Sequence, residues 1–407
     1  MQLKQQLQLL LQLHLLFVVL SVRSINNRYY FDYNATSPLA ESVKSWLSKG
    51  DFPFANPASI HQSGKSSRRL MNQVRESLYS IFSLSESTHK LYFHSGATEG
   101  IGNIIRGFFE LHPQACFAYA STDHSCVYQH AQRLSKHGVE VVELQVNAHG
   151  DLDTDALNRL KKVNKKILLN WTWVNNETGI VWPLDKALEL KSSIPDLSIH
   201  VDAVQAPGKI EDWQNLNSTL DAYTFSNHKY GALKGVGHTF VRADFDFCPI
   251  ILGGGQQESM RSGTENTYGS YSSMLAIEEL AKNYNYKQSL ECLKYIEKEV
   301  LSTLGEAGEL VGSGSNYRNA NTLYIVFYDV KSDITSVAFD LAGIEVSTGS
   351  ACSSGAILPS RVLLKMGYNE LQSKSAIRFS FTPIISMDQA KDYASIISSV
   401  VKRFSQK

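Results

Sequence analysis

Charge of one sign is what this chain most plainly lacks. Its 407 residues carry 39 Lys and Arg against 39 Asp and Glu. Such a balance leaves no field to draw it to nucleic acid or to an anionic membrane. Cysteine is scarce and scattered, at Cys116, Cys126, Cys248, Cys292 and Cys352. No two of these form a CxxC, so no metal site is expected, and an odd number argues against a disulfide framework. A reducing compartment, the cytoplasm, is the simplest setting. Internal repeats and long low-complexity linkers are missing. A clean membrane span is missing too. Leu7 to Val22 is apolar, but Gln8, Gln12 and His14 interrupt it and no A-x-A-like cleavage site follows. That makes a weak signal peptide and a poor span. Residues 1–28 read as an extension, and targeting or anchoring is the alternative. No other segment calls for a membrane.

What is present suits a large domain followed by a smaller one. Leu70, Val74, Leu78 and Phe82 recur every four positions, one stripe of an amphipathic helix. Short apolar runs at Leu91–Phe93, Cys116–Ala120, Val139–Leu144, Ile167–Trp171, Ile199–Val201 and Ala222–Phe225 read as strands, with helical stretches between several of them. This alternation predicts an α/β fold, a mostly parallel sheet with helices on both faces. After about Tyr268 the pattern predicts one long helix from Ser272 to Leu304, a strand at Thr322–Tyr328, a Gly/Ser loop and a final helix. This part reads as an α+β domain.

Three polar clusters carry chemistry. Phe225-Ser226-Asn227-His228-Lys229 follows an apolar run, and Val201-Asp202-Ala203-Val204-Gln205 lies upstream of it. A lysine can form a Schiff base, and an acid at a strand end can keep a pyridine nitrogen protonated. Small polar residues can hold a phosphate, so together they suggest a pyridoxal phosphate site. Ser95-Gly96-Ala97-Thr98-Glu99 sits where a strand turns into a helix, and helix N-termini suit phosphate. Each cluster alone has a plainer reading: a capped helix, an Asp capping the next helix, a surface Lys. Cys352 lies in Gly349-Ser350-Ala351-Cys352-Ser353-Ser354, among small residues. A buried structural thiol would not usually have such neighbours.

With Arg261-Ser262-Gly263-Thr264, these motifs resemble the group I cysteine desulfurases of the class V aminotransferases, over roughly residues 29–400. The resemblance implies a fold type I pyridoxal-phosphate transferase with a seven-stranded, mostly parallel sheet. Residues 29–268 would form the large domain, its first residues packing with the small domain at 269–407. It implies pyridoxal phosphate held by Ala97, Thr98, Ser226 and His228, with Asp202 on the ring nitrogen and Gln205 on the phenolic oxygen. His124 would stack on the ring and serve in acid–base steps. Asn176 would touch cofactor and substrate, and Lys229 would carry the cofactor. Asn34 and Arg378 would grip the carboxylate of L-cysteine. Cys352 would take the sulfur as a persulfide, leaving L-alanine, and pass it to an acceptor such as an iron–sulfur scaffold or a tRNA or cofactor thiolation system. Thr264 would reach the phosphate in the neighbouring subunit of a homodimer. A selenocysteine lyase, another class V enzyme and a non-catalytic scaffold are the rival readings. The chain departs from the pattern at Asn227, where the family has Gly and where Asn is expected to tolerate a left-handed turn. It departs again at Gln257-Glu258-Ser259, a charge reversal expected close to the site.

Overall fold

The computed structural model describes residues 23–24, 28–50, 52–163, 165–328, 330, 332–348, 350–351 and 357–405. Cys352 and most of residues 1–28 lie outside the described residues. The chain enters on β1 (Arg28–Tyr30) and α1 (Glu41–Lys49), then α2 (Gln62–Ile81). Val74 and Leu78 of the expected stripe are buried on α2, where Met71 is buried in place of the half-buried Leu70. His61 caps its start by accepting from Gly64 N.

Alternation follows: β2 (His89–His94), α3 (Ala97–Leu111), β3 (Cys116–Ala120), α4 (Ser125–Lys136), β4 (Glu140–Leu144), β5 (Ile167–Thr172), α5 (Leu184–Ser193), β6 (Leu197–Asp202), β7 (Ala222–Ser226) and β8 (Gly237–Arg242). Among the described residues these strands make a seven-stranded sheet in the order β2-β8-β7-β6-β5-β3-β4. β8 pairs antiparallel with β2 and β7, and the other pairings are parallel. Every residue of β3, β5, β6 and β7 is buried, as strands covered by helices on both faces must be. Their C-terminal ends converge on one edge, where open α/β sheets bind ligands.

The second half comprises α6 (Thr267–Asn283), α7 (Tyr286–Leu304), β9 (Gly308–Leu310), β10 (Thr322–Phe327), α8 (Ser332–Leu341), β11 (Ile344–Glu345), β12 (Ser347–Thr348), α9 (Arg361–Lys365), β13 (Ile377–Ser380) and α10 (Met387–Ser405). A four-stranded antiparallel sheet, β9-β10-β13-β12, packs under α7 and α10. β1 pairs in parallel with β11, and Phe31 enters this second core. The single helix expected from Ser272 to Leu304 is two. Asn285 is extended (φ −126, ψ 103) and its side chain caps Gln288 N at 3.2 Å. Asn competes with the helical backbone and favours caps, which apolar periodicity alone does not register. Ala276, Ile277 and Leu280 of α6 lie in the first core, and the second takes up at Cys292. Later residues serve both cores: Tyr324, Val326, Leu363 and Ala376 lie in the first, and Leu323, Ile325 and Phe379 in the second. Among the described residues no helix is long and apolar enough to cross a membrane.

Candidate active site

A cavity of about 370 Å³ opens at the C-terminal edge of the parallel strands. Ala97, Thr98, His124, Asn176, Asp202, Gln205, Ser226, His228 and Lys229 all line it. α3 begins at one end of the cavity, and its N-cap Gly96 offers no side chain to the first-turn amides. Glu99 N is met by Gly96 O at 3.0 Å, and the amides ahead of it, with the helix dipole, suit an anion. Ser226 ends β7 and His228 follows on a short 3₁₀ turn. His228 Nδ1 lies 2.9 Å from Thr36 Oγ1. Burial, then the charge of Lys229, pushes this imidazole down to about 4.

Lys229 lies on the same turn, its Nζ donating to the carbonyls of Asn34 (2.8 Å) and Ala35 (2.7 Å). Burial, then Arg378, lowers its ammonium to about 8. Asn227 does not take the left-handed conformation expected of it; Gly231 does, at φ 97. Asn227 is instead fully buried, its Nδ2 donating to Ser273 Oγ (2.6 Å) and its Oδ1 2.9 Å from His238 Nδ1. Its amide is spent on packing the turn against α6. Asp202 ends β6 and accepts from Val204 N at 3.1 Å. Burial pushes this carboxyl up to about 6 against the pull of Lys229.

His124 is the N-cap of α4, its Nδ1 accepting from Cys126 N at 3.2 Å. That bond assigns the ring proton to Nε2. The ring stays solvent-accessible at the cavity, while crowding and then the charges of Lys229 and Arg361 push it down to about 4. Gln205 Nε2 donates to Asn34 O at 3.0 Å, and its Oε1 accepts from Lys209. Lys209 is fully buried, with its ammonium far below the ordinary value because of burial. Its Nζ also donates to Asn34 Oδ1 at 3.0 Å. Nothing in the apolar Ala206-Pro207-Gly208 run pointed to Lys209. Its only sequence signal is its place four residues after Gln205.

Three expected residues among those described, Asn34, Arg378 and Thr264, do not line this cavity. Asn34 lies directly behind Lys229, its amide committed to Thr322 Oγ1 (2.9 Å) and Lys209. Arg378 is buried in β13, where Nη2 donates to Asp32 Oδ1 (2.7 Å) and Nη1 to Asn176 O (2.9 Å). Thr264 is exposed and outside the lining. Cys352 lies outside the described residues, but the segment after it is docked. Ser360 Oγ donates to the buried Glu177 at 2.5 Å, and Arg361 donates to the carbonyls of Ser121 and Asp123. The charge reversal at Gln257-Glu258 also lies outside the lining. Glu258 pairs with Lys90 of β2 at 3.2 Å. Gln257 bonds both backbone groups of Phe93, at 2.6 and 3.0 Å.

These groups fit pyridoxal phosphate: an open helix N-terminus for the phosphate, a buried carboxyl for the ring nitrogen and an amine for the aldehyde. The family model for class V aminotransferases matches residues 29–392. A cysteine desulfurase of Nostoc sp. is 30% identical over 384 residues, 92% of this chain and 93% of the relative. The cysteine desulfurase IscS of Dictyoglomus turgidum is 32% identical over 360 residues, 86% of this chain and 89% of the relative. A solved NifS-like protein superposes with TM-score 0.81 at 26% identity, covering 92% of this chain and 100% of that one. SspA in complex with cysteine gives TM-score 0.72 at 25% identity, over 88% and 99%. The chain therefore belongs to the pyridoxal-phosphate-dependent class V aminotransferases, among their cysteine desulfurases.

Proposed function

We propose that this chain takes sulfur from L-cysteine, releasing L-alanine and leaving a persulfide on Cys352. One observation carries the reading: an amine depressed to about 8, a buried carboxyl and an uncapped helix N-terminus meet in one cavity. Bound pyridoxal phosphate supplies the electron sink for Cα. Asp202 holds the proton at the ring nitrogen, and Gln205 offers an N–H to the phenolic oxygen. Lys229 Nζ, once neutral, takes the Cα proton. His124 Nε2 carries a proton for the return steps. Arg378, Asn34 and Asn176 orient the substrate carboxylate, Arg378 by exchanging Asp32 for it and Asn34 by turning its Nδ2 from Thr322. The Cys352 thiolate then attacks the substrate sulfur. The C–S bond breaks, its electron pair stays with the carbon skeleton, and reprotonation gives alanine.

The cysteine complex of the SspA relative supports L-cysteine as substrate. Thr264, exposed on one subunit, reaches the phosphate of a second copy in a homodimer. The acceptor is a protein such as an iron–sulfur scaffold, reached by the Ser/Gly-rich segment around Cys352, and the cytoplasm is the setting that keeps such thiols reduced. The test is alanine formed from L-cysteine with a reductant present, in the wild type and in Cys352→Ala. Alanine with matching sulfide from the wild type, lost in Cys352→Ala while the visible cofactor band persists, is expected. Equal turnover in the variant would remove Cys352 from the reaction. No alanine from cofactor-loaded wild type would sink the desulfurase reading.

A further inference from the structure

Behind the cavity floor a line of buried polar side chains crosses the large sheet. Gly96 N donates to His94 Nδ1 at 3.3 Å, so the His94 proton sits on Nε2, 3.0 Å from Thr239 Oγ1. Thr239 Oγ1 is 2.9 Å from Thr224 Oγ1, which is 2.8 Å from His200 Nε2. His200 Nδ1 is 2.8 Å from Asn170 Oδ1, and Asn170 Nδ2 donates to Asp123 Oδ2 at 2.9 Å. Neutral imidazole has one donor and one acceptor, so the direction is fixed along the whole line. Thr239 donates to Thr224, Thr224 to His200 Nε2, and His200 Nδ1–H to Asn170. Burial keeps both rings neutral, His94 at about 4 and His200 at about 3. The backbone makes room for the line. A Cβ on Gly100 would lie 2.4 Å from His94 Nε2, and one on Gly237 would lie 2.5 Å from His94 Cε1.

The line ends on a carboxyl that receives only donors. Besides Asn170, Asp123 accepts from Thr172 Oγ1 at 2.7 Å and Ala120 N at 3.1 Å. Its side chain is fully buried. Thr172 is also the register partner of Asp202 across β5 and β6. Asp202 pushes Asp123 upward, and both carboxyls act on the Cys126 thiol. The remaining ionisable neighbours are His200 on β6, Lys229 beyond Asp202 and Arg361, held on Asp123's own carbonyl. Burial lifts Asp123 to about 7, and its three donors hold it back from rising further. Aligned hydrogen bonds polarise one another and strengthen a terminal anion.

We propose that Asp123 is a positioning residue for the ring acid: a second buried carboxyl, whose ionised form the line from Gly96 favours and which, when ionised, holds the proton on the cofactor nitrogen facing Asp202. A nearby anion favours the protonated, cationic ring. The inference rests on the cofactor reading above.

The experiment is ¹⁵N NMR of the holoenzyme carrying ring-¹⁵N pyridoxal phosphate, followed against pH. In Asp123→Asn the ring nitrogen is expected to lose its proton at a lower pH than in the wild type. Thr172→Val, nearly isosteric, removes one donor from Asp123 and is expected to move the midpoint the same way by less. If Asp123→Asn fails to fold, Thr172→Val decides alone. A midpoint unchanged from wild type in the deciding variant, with cofactor bound, overturns the proposal. A wild type that takes up no pyridoxal phosphate fails at the first spectrum and overturns the underlying site reading instead.

Discussion

The reactivity of Lys229 is set by its surroundings. Its ordinary value is 10.5, but burial and Arg378 bring it to about 8. Only the neutral amine attacks an aldehyde, and a lowered value means the neutral form appears at lower pH. Uptake of pyridoxal phosphate by the apoenzyme should therefore rise with pH to a midpoint near 8. Stopped-flow absorbance measures it, and a midpoint at the ordinary lysine value would contradict the burial argument. Lys229→Ala should show no imine band at any pH. Lys209 makes a second prediction. Among the described residues it alone donates to Gln205 Oε1, and it also holds Asn34. Lys209→Met keeps the volume but frees the Gln205 amide to turn. Burial disfavours the charged form of Lys209, and an uncharged hydrogen bond contributes about 0.5–1.5 kcal/mol, so cofactor affinity should weaken by up to about tenfold. Fluorescence titration would show it; unchanged affinity would mean that Gln205 needs no such support.

Helices and strands in this chain are bounded by side chains more than by propensity. Asn285 interrupts what apolar spacing presents as one helix, and the interruption lets α6 join one core and α7 the other. Asn285→Ala should cost about 1 kcal/mol, seen as a lower denaturant midpoint with an unchanged slope. Gln257 works differently. With φ of 52, 55 and 65 at Gln257, Glu258 and Ser259, three non-glycine residues hold a left-handed path. That path turns the Gln257 amide onto the free backbone of edge strand β2. Gln257→Ala leaves those groups unpaired and should cost about 1–3 kcal/mol. The feared charge reversal is thus an edge cover, its Glu258 answered by Lys90.

In the whole molecule, sites built from two chains can be tested by mixing. If Thr264 acts on a neighbour's cofactor, Lys229→Ala subunits co-refolded with Thr264→Ala subunits carry one intact site per mixed dimer. Activity should then exceed that of either variant alone. No recovery, with mixed dimers confirmed by native mass spectrometry, would place Thr264 elsewhere. Much of this architecture was legible in the chain. Short buried runs alternating with amphipathic stretches specify a covered parallel sheet, because only that arrangement buries strands apolar on both faces. The Asp202, His124 and Lys229 clusters each follow such a run, and strand C-terminal ends gather at one edge. Less legible were residues whose partners are remote in sequence. Asn227 was expected to serve its own turn, but it serves Ser273 and His238. Lys209, in a turn after β6, and the line from His94 to Asp123 gave no sign in the sequence of the partners they find across the sheet.

By itself, then, the sequence determined the class of fold, the cofactor chemistry and half of the residues that line the cavity. Local spacing and residue type are enough to place a lysine, an acid and a helix N-terminus at strand ends. Only the tertiary structure decided the ionisation of those groups. Burial lowers Lys229 and raises Asp202, and desolvation depends on what packs around a group, from any distance along the chain. It also decided the partners: Arg378 rests on Asp32, Lys209 on Gln205 and Asn34, and Asp123 on a line of donors drawn from strands across the sheet. Buried polar groups must find partners wherever folding brings them, and sequence order does not record where that is.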